Sequence, residues 1–382
     1  MIVTYRFRLY PNKTQAHLME QTLETCRRLY NDLLAERNED GTGFYDLQHS
    51  LVERKGASKY LRAVHSQVLQ DVNIRLDKAF QAFFAGLARH PRFKRSGRYN
   101  SFTYTQPGGF KIIGDRLKLS RIGSVKIKLH REIIGTPRRC AIIRDIDRWY
   151  VCVMVEQPEL GQPPSPKPAI GVDLGVLRVA TLSDGTRFDN PRCLKTAESS
   201  VKKLQRSLSR KHKGSHSREK ARMLLAKAHR HIRNQRRDYA HNVSRHLAYN
   251  YSTIVFEDLK IPNMVRNHNL ASAIMDASWG QPRQLTAYKA ERRGGRVILV
   301  DPSGTSQICS GCAETVPKDL SVRVHACPNC GLVVDRDENA ARNILKRGLE
   351  RAPAEERPLL VQRTRISKFS PVKQEANGFN QW

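Results

Sequence analysis

Residues 309–345 read CSGCAETVPKDLSVRVHACPNCGLVVDRDENAARNIL. Two Cys-x-x-Cys pairs, Cys309/Cys312 and Cys327/Cys330, stand 14 residues apart and run directly into Asp335-Arg336-Asp337. Zn²⁺ favours four soft or borderline ligands in a tetrahedron, with Zn–S near about 2.3 Å. Two residues between paired cysteines let a tight turn aim both sulfurs at one ion, and a second such turn closes the shell. Gly311 and Gly331 stand beside the pairs, where such turns often need a positive φ. The spacing therefore predicts a structural zinc ribbon that delivers an acid pair to the mouth of a short helix.

Outward from this stretch, charge is the next constraint. The 382 residues carry 67 Lys and Arg against 36 Asp and Glu, a net +31. Self-repulsion on that scale needs a compensating polyanion, for which a phosphate backbone is the obvious candidate. No apolar run is long enough to span a bilayer, so no membrane partner is expected. The N-terminus, MIVTYRFRLY, lacks a signal-peptide layout. Cys26, Cys140, Cys152 and Cys193 are scattered without framework spacing and read as buried thiols, which fits a reducing cytoplasm.

Residues 2–10 alternate apolar and polar, as a half-buried strand does. An amphipathic helix is expected over about residues 14–37 and a second over about 61–87, forming a helical insert at 11–90. Residues 91–155 turn to short β segments, and with 1–10 they predict a small β-barrel. EQPELGQPPSPKP, residues 156–168, reads as a linker. Beyond it come a strand hairpin from Ala169, helix over 195–250 broken near Gly214, a strand at 253–257, a helix at 282–293 and a strand at 295–300. The ribbon insert at 305–330, a last strand at 332–335 and a final helix follow. That order predicts an RNase H-like α/β domain over 169–304 and 331–350, giving a multidomain α+β and α/β chain. Residues 351–382 show no periodicity and read as a disordered tail.

Three acids fall where such a domain carries metal ligands. Asp173 ends its first strand, Glu257 ends a central apolar strand, and Asp337 opens the last helix. Strand ends converge on one edge of a sheet, so acids far apart in sequence can meet there. Hard oxygen ligands suit Mg²⁺, and two such ions about 3.5–4 Å apart would activate water and stabilise a departing 3′-oxygen. Asp335 competes with Asp337, but with Glu338 three residues on it suits a helix-capping role. Asp258 and Asp301, also at strand ends, are reserves. Residues 201–237 hold 14 Lys or Arg and one acid, Glu219, too one-sided for an ordinary solvated face. Lys202, Lys203, Arg206, Arg210 and Lys211 are its candidate phosphate contacts, reading duplex shape and not base sequence.

Taken together, GVDLG at 171–175, FEDL at 256–259, TSQICSGC at 305–312, CPNCG at 327–331 and DRDENAARNI at 335–344 resemble the TnpB proteins of bacterial and archaeal insertion sequences, relatives of type V CRISPR effector nucleases. Tyr10-Pro11 and Pro91-Arg92-Phe93-Lys94 are similar more weakly. The resemblance implies an RNA-guided DNA endonuclease with a RuvC-like nuclease domain, in which Asp173, Glu257 and Asp337 are the nuclease acids and hold Mg²⁺. It implies zinc on the four ribbon cysteines, a barrel (wedge-type) and helical half that clamps RNA and DNA, and a nucleoid-associated life in the cytoplasm. Its partners would be a guide RNA from the element's own end and double-stranded target DNA beside a short motif. Two rivals remain open: a nuclease-silent RNA-guided regulator, and an RNase H-like DNA transposase.

Overall fold

Alternation along Ile2–Tyr10 (β1) buries Tyr5, Phe7 and Leu9 on one face and leaves Arg6 and Arg8 on the other. Asn12 then starts a helix, α1, Lys13–Glu39. Its side chain accepts the Gln15 N–H at 2.8 Å, and Gln15 Oε1 accepts the Asn12 N–H at 3.1 Å, a reciprocal cap. Met19, Leu23, Cys26, Tyr30 and Leu33 follow at helical spacing and are all buried.

The computed structural model describes residues 1–158, 167–266, 268–277, 279–319 and 321–350. It falls into two compact units, Met1–Glu159 and Leu160–Trp382. The expected linker lies mostly, and the expected tail wholly, outside the described residues.

In the first unit α1 is followed by α2, Phe44–Ala57, α3, Lys59–Arg62, and α4, Ser66–Phe84. The single helix expected over 61–87 is thus cut at residues 63–65, where His65 Nδ1 accepts the Gln67 N–H at 3.3 Å and restarts it. Helix α2 escaped the sequence reading because only Leu47 and Leu51 are buried along it, too thin a stripe to register. The strands are β2, Ser101–Tyr104; β3, Phe110–Ile113; β4, Arg116–Leu119; β5, Gly123–Lys128; β6, Thr136–Asp145; and β7, Arg148–Glu156. They form one seven-stranded sheet in the order β2-β6-β7-β1-β5-β4-β3. Tyr5, Phe7 and Leu9 stand opposite Val153, Val151 and Trp149, so one face is apolar throughout.

The expected barrel does not close. Strands β2 and β3 are the two ends of the order, and each is only four residues long. The buried residues of α1 and α4 join the sheet's apolar face in a single cluster, so the face is buried without closure. Sheet and helices share one core where the sequence suggested two modules.

The second unit is built on a five-stranded sheet. Its antiparallel part is β8, Ala169–Asp173, β9, Arg178–Leu182, and β10, Arg187–Asp189. Its parallel part adds β11, Thr253–Glu257, beside β8 and β12, Arg296–Val300, beside β11. The order is β10-β9-β8-β11-β12. The three-residue β10 is too short to carry a periodic signal and was not expected. The helices are α5, Cys193–Ser209, α6, His216–Asn250, α7, Ile261–Met264, α8, His268–Ala277, and α9, Gly280–Glu291. The last segments are a hairpin, β13, Val324–Ala326, and β14, Val333–Asp335, and then α10, Arg336–Glu350. Strand β14 pairs with β13 and not with the central sheet, so the ribbon's hairpin extends to Asp335, past the expected boundary at 330.

Helix α10 lies against β8 and β11 through two glycines. A Cβ on Gly171 would sit 2.0 Å from the Ala341 carbonyl oxygen and 2.7 Å from the Leu345 nitrogen. A Cβ on Gly348 would sit 2.5 Å from Val255 Cγ2. Ala340, Ala341 and Ile344 are buried in this contact. Gly171→Ala meets backbone that cannot swing aside and should cost about 1–3 kcal/mol or more. Gly348→Ala meets a side chain and gains helix propensity of about 1 kcal/mol. Thermal melting of the two variants should therefore show the larger Tm loss at Gly171; the reverse order would mean that α10 is not held by its approach to β8.

Candidate functional site

Strands β8 and β11 are parallel neighbours with Val172 opposite Phe256, which puts Asp173 and Glu257 side by side at the same end of the sheet. Neighbouring strands are about 4.8 Å apart. Burial pushes the Asp173 carboxyl well above its ordinary range, and the negative charges of Glu257 and Asp337 push it further. Glu257 is buried at 7% exposure, and burial raises its carboxyl too, opposed by a hydrogen bond from Thr305 and by the Arg347 charge. Trp279, at the head of α9, donates to the Gly175 carbonyl at 2.9 Å and fixes the turn that follows Asp173.

Asp335 and Asp337 separate clearly. Asp335 Oδ1 accepts the Asp337 N–H at 2.9 Å, which satisfies a donor of the first turn of α10. Its Oδ2 pairs with Arg178 at 2.8 Å. Burial alone would raise the Asp335 carboxyl, yet the bonds from Arg178 and from the Asp337 backbone carry it below the usual range. Glu338 does not complete a capping box; it pairs with Arg342 at 2.7 Å and Arg187 at 3.7 Å. The Asp337 carboxylate meets Arg336 at 3.0 Å and Arg323 at 3.7 Å. Of the reserves, Asp258 is exposed and meets Arg283 at 3.3 Å. Asp301 accepts the Ser303 N–H at 3.0 Å and borders an open hollow of about 580 Å³ with Gln307, Arg347 and Glu350.

Among the described residues, only Cys309, Cys312, Cys327 and Cys330 form a group whose ligand atoms all lie within 4.8 Å of one another. Sγ of Cys309 is 3.6 Å from that of Cys330, and Cys312 is 3.6 Å from Cys327. Zn–S bonds of about 2.3 Å in a tetrahedron require S···S edges of about 3.8 Å, so the thiols fit zinc as they stand. The positive φ of each turn falls just after its second cysteine, at Ala313 (64°) and Gly331 (72°). Gly311 has no such φ, and a Cβ there would meet Cys330 Sγ at 3.4 Å, an ordinary contact.

Two fully or nearly buried asparagines tie this ribbon to α10. Asn339 donates to the Ile308 carbonyl at 2.7 Å and accepts the Ser310 N–H at 2.9 Å. Asn343, one turn on, donates to the carbonyls of Thr305 and Ile308 at 2.9 and 2.6 Å. Neither asparagine, nor Thr305, nor Arg178 was assigned a role from sequence. The available signal was polar residues at i and i+4 in a helix, on positions that periodicity marks as core.

The basic segment folds as an antiparallel pair. Helices α5 and α6 meet along Cys193, Val201 and Ile232, and Arg218 closes their turn by donating to the Leu208 and Lys211 carbonyls at 2.9 and 2.7 Å. Lys203, Arg206 and Arg210 are exposed, Lys211 is half-buried, and Lys202 is exposed but pairs with Glu198 at 2.6 Å.

Comparison with known proteins gives this geometry its context. The family model described as "Probable transposase" (OrfB_IS605) matches residues 150–268, one described as "Cas12f1-like, TNB domain" matches 279–344, and one described as "Helix-turn-helix domain" matches 1–40. Over those first forty residues the fold is a strand and one unbroken helix. A protein of Escherichia coli (strain K12) named "Putative RNA-guided DNA endonuclease InsQ" is 32% identical over 369 residues, covering 90% of this chain and 92% of its own. This chain belongs to the TnpB family. A Streptomyces pristinaespiralis protein named in the same words, without the final symbol, is 33% identical over 362 residues, covering 90% of this chain and 89% of its own. TnpB-like protein L79 of Acanthamoeba polyphaga mimivirus is 31% identical over 133 residues, covering 33% of this chain and 25% of its own.

In this TnpB-family chain the ribbon and α10 should rise or fall together. Chelation is expected to release one zinc per chain and to lower the Tm, because the 305–310 segment then loses the fixed path that Asn339 and Asn343 bind. Asn343→Ala should cost about 1–3 kcal/mol through the orphaned Thr305 carbonyl, the Ile308 carbonyl keeping its bond from Asn339, read by denaturant unfolding. A zinc-free protein with unchanged melting would remove the ribbon from this scheme.

Proposed function

We propose that this protein is an RNA-guided DNA endonuclease of an insertion sequence, with an RNase H-like (RuvC-type) nuclease domain in its second unit. The observation that carries the proposal is the register of β8 and β11. It sets Asp173 beside Glu257 at one sheet end, in a chain whose near full-length relatives carry the endonuclease name. Asp173, Glu257 and Asp337 are the proposed ligands of Mg²⁺. Burial, and after it the negative charges of Glu257 and Asp337, raise the Asp173 carboxyl, and a divalent cation there would offset both. When bound, such ions activate a water and stabilise a departing 3′-oxygen. Asp335 does a different job, holding the start of α10 with its charge matched by Arg178.

The remaining parts of the proposal rest on charge and on the family to which the chain belongs. A net +31 chain binds any duplex, so selectivity must be supplied by something else. Base pairing with a bound guide RNA supplies it, and the protein itself reads only a short motif in the target duplex. The α5–α6 pair offers Lys202, Lys203, Arg206, Arg210 and Lys211 to phosphates. Among the described residues no helix is long and apolar enough to cross a membrane.

The deciding experiment uses one protein, two guide RNAs and two plasmids. Exchanging the guide should retarget cutting to the matching plasmid, and altering the adjacent motif should abolish it. Cutting that ignores the guide or needs no RNA would favour a DNA transposase, and guided binding without Mg²⁺-dependent cutting would favour a silent regulator. Asp173→Ala, Glu257→Ala and Asp337→Ala should each abolish cutting while leaving RNA binding intact. Asp335→Ala should retain measurable cutting with about 1 kcal/mol lost from α10. Replacing the five basic residues with Ala should flatten the salt dependence of nucleic-acid binding; an unchanged slope would remove α5 from the interface.

A further inference from the structure

The proposed ligand Glu257 has an uncommon neighbour. Thr305 is 4% exposed, and its Oγ1 lies 2.6 Å from Glu257 Oε1, a short contact between two buried side chains 48 residues apart. A carboxylate can only accept, so the hydroxyl proton points at Glu257. The alternative acceptor, the Pro302 carbonyl, is farther at 3.1 Å and uncharged. The backbone around Thr305 is fixed as tightly as its side chain. Its carbonyl accepts from Asn343 at 2.9 Å, and Asn343 and Asn339 together hold the Ile308 carbonyl three residues on. Ile308 directly precedes the first ribbon cysteine, and the Cys309 N–H donates to the Glu314 carbonyl at 2.8 Å.

We infer that Thr305 is a positioning residue for Glu257: its hydroxyl fixes one carboxylate oxygen and so turns the other toward the divalent cation that the acids would hold. The zinc ribbon sets where Thr305 stands, through the two asparagines of α10. A glutamate has three side-chain torsions, and holding one oxygen removes most of that freedom before any metal arrives. Outer-shell partners of this kind typically change metal affinity or activity by about 10- to 100-fold when removed. Valine is close to threonine in shape but cannot donate, and serine can donate without the methyl group, so the two substitutions separate the hydrogen bond from the packing.

The inference takes Glu257 as a metal ligand from the function proposed above, yet its test needs neither RNA nor DNA. Mn²⁺ binding to the nucleic-acid-free full-length protein is followed by electron paramagnetic resonance, with zinc content measured in parallel. Thr305→Val is expected to weaken Mn²⁺ binding at least tenfold with one zinc retained, and Thr305→Ser to restore most of it. In a Glu257→Gln background Thr305→Val should change the remaining affinity little, because its target carboxylate is gone. Wild-type affinity in Thr305→Val, failure of serine to rescue, or an equal loss in the Glu257→Gln background would each overturn the inference; the last would show that Thr305 acts only through the fold. If the wild-type protein binds Mn²⁺ in this Thr305-dependent way but never cuts under a guide, the endonuclease reading falls and the positioning role stands.

Discussion

The close approach of α10 to β8 is the constraint on which the second unit depends. Only a residue without Cβ can stand at 171, because the Ala341 carbonyl occupies the space a methyl group would need. The contact fixes three things at once. It seats Asp337 near the end of the strand that carries Asp173, turns Asn339 and Asn343 toward the ribbon, and buries Ala340 and Ala341. The 335–344 stretch therefore has a physical reading residue by residue. An aspartate caps, an aspartate pairs with Arg336 and Arg323, two alanines allow contact, and two asparagines reach across to a second module.

Much of this is legible in the amino-acid sequence. The ends of β8, β11 and β12 fall within a residue of their expected places, because Gly, Pro and Asp or Glu punctuate short apolar runs there. The break near Gly214 is where α5 gives way to α6, and the capping of α10 by Asp335 follows from its place before the helix. What was illegible shares a cause. Strand β10 and helix α2 bury too few residues to make a period, and β14 is apolar enough to resemble a core strand although its partner is β13. Barrel closure depends on whether two four-residue strands meet, which no local pattern encodes. The Thr305 contact joins residues distant in sequence, and threonine has too many ordinary roles to stand out.

Electrostatically the second unit is divided. The α5–α6 pair gathers positive charge at exposed positions, whereas the sheet end buries Asp173 near the negative charges of Glu257 and Asp337, with Arg336 opposing them. Concentrated charge of one sign is costly to the folded state unless a counter-ion or ligand arrives. Two opposite concentrations of charge in one unit are what the proposed function would use, polyanions meeting the basic pair and small cations meeting the acids.

Strand β14 ends at Asp335 and α10 begins at Arg336, with no residue between them. A helix advances by about 100° per residue, so its rotational phase is set by where it starts. One residue added between Cys330 and Asn339 would swing both asparagines away from the 305–310 segment and turn Asp337 off the sheet end. The stretch between Thr315 and strand β13 bears no such phase requirement, since the chain on its two sides is reunited by the thiols. Changes in ribbon size are therefore absorbed on the far side of the cysteines, and the junction with α10 has a fixed length.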